Sequence, residues 1–236
     1  IVLNSGDEYA PLAVAGGAGD ASIIKQFYRI CEKALTDMAV KEWHSSTPSY
    51  DQFEDAVSQI ESRFIERFRD LRDNGIKPDF SMIIASVDRN GKASIYVFDE
   101  RGLAEPAHDN PGFAVIGRGF FTGGNLLLRL LGYSPERSSA LDLGVLSAFV
   151  IDVVSEIDPA VGPFMGESYY MRVENGAVLL GQLKEESIKE YKEKSQQRKE
   201  LLRKAWMLLD MAGEEEVNTK MEELERKLKE VGEEAK

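Results

Sequence analysis

"YAPLAVAGGAGDASIIKQF", residues Tyr9 to Phe27, sets an apolar strand, a glycine run and a helix back to back. Ala10, Leu12 and Val14 alternate along Tyr9–Ala15, the period of a half-buried strand. Gly16, Gly17 and Gly19 then predict a corner, because a backbone without Cβ turns where other residues are obstructed. Asp20 is a natural N-cap for a helix that gathers Ile23, Ile24, Phe27, Ile30, Cys31 and Leu35 on one face. Backbone N–H groups at such a corner lack intrahelical partners and can hold an anion or a developing oxyanion. The same residues also serve a plain tight turn, and the local sequence leaves both readings open.

Working outward, a second helix is predicted over about Tyr50 to Asp73, with Phe53, Val57, Ile60, Phe64 and Phe68 at helical spacing and Gly75 just past its end. Two strands follow, "FSMIIASVD" and "KASIYVFD", joined at Asn90-Gly91, a hairpin-turn signal. The first is apolar on both faces, as in a sheet held between two layers. "GFAVIGRG" reads as a further strand entering a glycine corner, followed by helices at about Phe121 to Leu131 and Ser138 to Ile157. "SYYMRVENGAVLLGQ" closes the series as a hairpin around Asn175-Gly176. Hairpins alternating with helix pairs point to helices covering stacked sheets, not to the βαβ repeat of a dinucleotide-binding domain.

Composition narrows the function. Forty-one acidic against 29 basic side chains give a net charge of −12, which argues against a nucleic-acid surface. No run approaches the roughly 18–20 apolar residues that span a bilayer, so no membrane association is expected. The single cysteine, Cys31, lies on the apolar helix stripe and reads as a small core residue in a reducing compartment. A cytoplasmic protein is the expectation. Two histidines, His44 and His108, lack partners at metal-ligand spacing, and neither a phosphate-binding loop, a dinucleotide fingerprint nor a GxSxG elbow occurs. No metal or organic cofactor is called for.

The order of these elements carries more than any one of them. "AGGAGDA" closing the strand before the first helix, "SVDRNGKASIYVFDERG" as a central hairpin, then "IGRG" and "IDPAVG", resembles the proteasome family: β-subunits of the core particle and their bacterial ring-protease relatives. The resemblance runs from about Leu3 to Leu180. It implies an α+β fold, the four-layer αββα sandwich of N-terminal-nucleophile hydrolases, over residues 1–182. An N-terminal threonine would attack a peptide carbonyl, with its own α-amino group near the general-base role.

By motif, Gly16 would supply the oxyanion-hole N–H, Val14 and Ala18 would line the pocket for the substrate side chain, and Asp158 would support the nucleophile's surroundings. Two supporting serines are replaced: Arg118 stands in the glycine turn and Val161 after Asp158. The family's threonine, lysine and first aspartate belong to a stretch preceding the equivalent of Ile1. The leading expectation is therefore a subunit of a self-compartmentalising assembly, a homo-oligomer acting on protein or peptide substrates, whose nucleophile lies upstream of these residues. The alternatives are an inactive scaffold on the same fold and, more distantly, amide hydrolysis of small molecules.

Residues 183–236 form a separate, charged segment. "KEESIKEYKEKSQQRKELLRKAWMLLDMA" predicts a helix that breaks near Gly213, and Val217, Met221, Leu224, Leu228 and Val231 continue at alternating four and three spacing. An αα-hairpin closed on itself or on the main domain, or a docking and oligomerisation arm over 184–235, both fit that pattern.

Overall fold

The computed structural model describes residues 2–4, 11–44, 47–134, 142–162 and 166–211, and helical positions 218–220, 222, 223 and 226. Its first half is an antiparallel five-stranded sheet in sequence order: β1 (Val2–Asn4), β2 (Pro11–Gly19), β3 (Phe80–Val87), β4 (Ala93–Phe98) and β5 (Ala104–Pro106). Helices α1 (Ala21–Lys41) and α2 (Tyr50–Asp73) cover one face of it. The Asp20 cap is the one the sequence announces. Asp20 accepts from the backbone N–H of Ser22 at 2.8 Å and of Ile23 at 3.3 Å, while Ser49 and Gln52 form a reciprocal capping box.

Alternation along β3 sorts its two faces. Phe80, Met82 and Ile84 are buried against the helices, whereas Ser81, Ile83 and Ala85 are half-buried on the other side. The helix side is closed by aromatic rings: Phe27 meets Phe64 at 4.3 Å, Phe68 at 4.4 Å and Phe80 at 4.5 Å between centroids. Cys31 is completely buried in this core, and burial pushes its thiol up to about 12. Folded protein at pH 8 is therefore expected to resist iodoacetamide, and urea-unfolded protein to take up one carbamidomethyl group by mass. Rapid labelling of the folded chain would show that this core opens readily.

On the other face, a hairpin of β6 (Tyr169–Glu174) and β7 (Ala177–Gln182) lies with β6 against β3 and β7 against β2. Its turn has positive φ at both Asn175 and Gly176, the turn type that matches strand twist. The remaining helices are α3 (Arg118–Phe121), α4 (Gly124–Leu130), α5 (Leu143–Ile157) and α6 (Glu185–Met211). α5 packs along α6, where Lys199 bonds Asp152 and, at 2.7 Å, Glu156. Burial alone would lower the Lys199 amine, but these carboxylates outweigh it and hold its pKa above the ordinary value. Beyond this clasp α6 presents Leu201, Leu202, Trp206 and Met207 to solvent.

Four expectations need correction. The first strand extends to Gly19, so the corner sits at Gly19–Asp20 and not at Gly16. Gly16 and Gly17 are strand residues paired with Ile83 and Met82, and only Gly19 of the three has positive φ. Residues 113–116 form no strand; Phe113 and Val115 pack instead with Leu128, Val150 and Val154 in a second apolar cluster. The helix expected over 121–131 is two short ones, separated at Gly123, whose φ of +103° a right-handed helix cannot hold. The last helix before the second hairpin begins at Leu143, capped by Asp142; residues 138–141, the region near Gly213 and all five apolar positions of the 217–231 pattern lie outside the described residues.

Candidate functional site

The face of β2 turned away from α1 carries Val14, Gly16 and Ala18, each two residues apart and paired with Ala85, Ile83 and Ser81. Gly17 between them turns to α1, where a Cβ would come within 2.6 Å of the Ile24 side chain. Its side of the strand requires glycine because the helix lies so close. Gly16 faces the opposite way, with nothing within 4 Å of where its Cβ would be. Open space in front of Gly16 is compatible with a ligand approaching the strand there.

Between this sheet face and α5 lies a cavity of about 1030 Å³. Ser81 and Val97 form one wall, Val150 and Val154 of α5 the other, and Phe113 and Val115 close a side. Ala18 and Arg118 both line it. The two chain segments are pressed together there: Gly117, at φ +66°, lies so close that an added Cβ would stand 2.7 Å from that of Ala18.

Arg118 is held by a partner forty residues further along the chain. Its Nε donates to Asp158 Oδ2 at 2.7 Å, although the Asp158 residue is only 4 % exposed and the Arg118 side chain is 69 % exposed. Asp158 is the C-cap of α5, where the helix dipole is negative and a carboxylate is disfavoured without a cation. The Arg118 hydrogen bond, with the Ala160 N–H on the other oxygen at 2.9 Å, holds this carboxyl below the usual range. It is therefore an anion at neutral pH, and whatever stability the pair contributes is lost only as the pH falls through that lowered value. The N–H of Val161 closes the turn on the Asp158 carbonyl at 2.9 Å, and its side chain joins the apolar cluster beside the cavity.

Of the residues singled out by sequence, Ala18, Arg118, Asp158 and Val161 are thus brought together. Val14 and Gly16 share the Ala18 strand face but stand outside the cavity wall. What sequence reading missed is the ion pair itself and the contact of Gly117 with Ala18. The acidic end of α5, with no basic residue in its last turn, is the signal that a cation must come from elsewhere.

No family model matches the chain, and no curated protein matches it. Solved structures do. An Anbu mutant from Hyphomicrobium sp. strain MC1 superposes with a TM-score of 0.59 at 15 % identity, over 83 % of this chain and 78 % of that one. Anbu, described as an ancestral beta-subunit, from Yersinia bercovieri gives 0.58 at 12 % identity, over 83 % and 79 %. At these identities the likeness speaks for the fold. The chain has a proteasome-like fold, in which an antiparallel sheet and helices are arranged as in these beta-subunit-like proteins.

Proposed function

We propose that the chain is a subunit of a self-compartmentalising proteolytic assembly. In this reading it hydrolyses peptide bonds with an N-terminal nucleophile carried outside these 236 residues. The observation that carries the proposal is the meeting of the β2 end, the start of α3 and the end of α5 around one cavity. That is how residues distant in sequence build a substrate site on rigid elements. The nucleophile's side-chain oxygen or sulfur attacks the peptide carbonyl, its own α-amino group accepts the proton and passes it to the leaving amine, and water then hydrolyses the acyl-enzyme so that the acid leaves and the nucleophile regains its proton. By the family resemblance, Gly16 offers its backbone N–H to the oxyanion. Val14 and Ala18 flank the substrate side chain, and Asp158 keeps Arg118 in position beside them.

Assembly into a homo-oligomer is supported by Phe121, 86 % exposed, and by exposed Leu126 and Leu130, apolar surface that association would cover. Residues 183–236 act in this scheme as a C-terminal arm whose base rests on α5. No helix among the described residues is long and apolar enough to cross a membrane. A cytoplasmic location remains part of the proposal.

The test is intact mass and N-terminal sequencing of the native protein, followed by incubation with fluorogenic peptides. A mature chain opening on Thr, Ser or Cys is expected, with hydrolysis falling at least about a thousandfold when that residue becomes alanine. A native chain opening on another residue, or hydrolysis indifferent to the substitution, would overturn the reading.

A further inference from the structure

We propose that Arg118 recognises a carboxylate on the ligand, so that the cavity takes apolar peptides bearing one acidic group beside it. The inference rests on the peptide-binding half of the reading above, and not on hydrolysis.

Arg118 is fixed from two sides. Its backbone follows Gly117, which is pressed against Ala18, and its carbonyl accepts from the Thr122 hydroxyl at 2.9 Å. Its side chain is held through Nε by Asp158. Among the described residues, Nη1 and Nη2 have no hydrogen-bond or ion-pair partner, and they belong to a side chain that is 69 % exposed on the cavity wall. A guanidinium bound at Nε still presents two N–H groups as a planar fork, the geometry that matches a second carboxylate. Because Asp158 has already oriented the fork, little side-chain entropy is lost on binding.

The surroundings restrict the ligand to a single acidic group on an apolar body. Val97, Val115 and Val154 supply apolar walls, which a polyphosphate or nucleic acid would not fill. The cavity also includes Asp79, Asp99, Glu100 and Glu105, and the chain as a whole carries −12, so a polyanion would be repelled. One carboxylate seated at Arg118 escapes most of that repulsion through its direct pairing.

Calorimetric titration of the native protein with four N-acetylated apolar tetrapeptides tests this. Two differ only in a C-terminal carboxylate or amide, and two amidated peptides differ only in an internal Glu or Gln. These arms separate a chain terminus from a side chain as the source of the carboxylate. At least one acidic peptide is expected to bind about tenfold tighter than its neutral counterpart, the scale of a charge-assisted pair.

In Arg118→Gln that ratio should fall to about one. Arg118→Lys, which still gives Asp158 a cation but lacks the fork, should keep a ratio of about threefold or less. Equal affinities in the unaltered protein, no binding of any peptide, or a preference that survives Arg118→Gln would overturn the proposal. Hydrolysis of neutral peptides with no acid preference would remove this inference and leave the peptidase reading standing. Acid-selective binding without hydrolysis would do the reverse.

Discussion

Phe64→Ala is expected to lower stability by about 3–5 kcal/mol, the range for removing a fully enclosed aromatic ring. Phe64 has no exposed surface and is shared by three partners, with ring centroids 4.3 Å from Phe27, 4.7 Å from Phe98 and 6.0 Å from Phe80. Those partners come from α1, β4 and β3, so the hole left by alanine cannot be closed by moving one element. Urea unfolding followed by circular dichroism measures the loss, and Phe64→Leu, which keeps most of the volume, should cost about 1–2 kcal/mol. A loss below about 1 kcal/mol for the alanine variant would mean that the rings around it are not packed as described.

Gly19→Ala is expected to cost about 2–5 kcal/mol, by a different route. Its φ of +114° is a conformation that side-chain-bearing residues rarely adopt, and the added Cβ would stand 2.1 Å from the Asp79 carbonyl oxygen. That oxygen is backbone and already accepts the Asp20 N–H at 2.8 Å, so neither chain can yield without opening the end of the β2–β3 ladder. For a chain of this size the melting temperature should fall by several degrees, roughly 2–4 °C per kcal/mol, in a calorimetric scan. Gly16→Ala, which meets nothing within 4 Å, is the matched control and should change stability by less than about 1 kcal/mol. If the two variants melt together, the turn is not where the backbone places it.

These two glycines also mark how far the sequence could be read. The helices were legible because periodic apolar faces coincide with end signals, as at Asp20 and Gly75. Asn90-Gly91 and Asn175-Gly176 carry their turn chemistry locally. Gly16 and Gly17 carry none: a glycine run suggests a corner, while the reason for Gly17 is the Ile24 side chain across the layer. The Phe113–Ile116 stretch alternates like a strand yet finds its partners in α4 and α5. For the site, motif order brought Ala18, Arg118 and Asp158 to attention, but the ion pair linking the last two is tertiary. Nothing in either local sequence specifies it beyond an uncompensated carboxylate at a helix end.

The way the main sheet stops at β5 bears on what the molecule can join. That strand has only three residues and ends in Pro106, which has no N–H to donate. An incoming chain would find too few ladder positions to register, so lateral growth on this side is blocked, a common defence against edge-to-edge aggregation. The β6–β7 hairpin is different, with two six-residue strands and no proline in either. Strand addition to this fold, whether from its own chain or from another, is therefore disfavoured at β5.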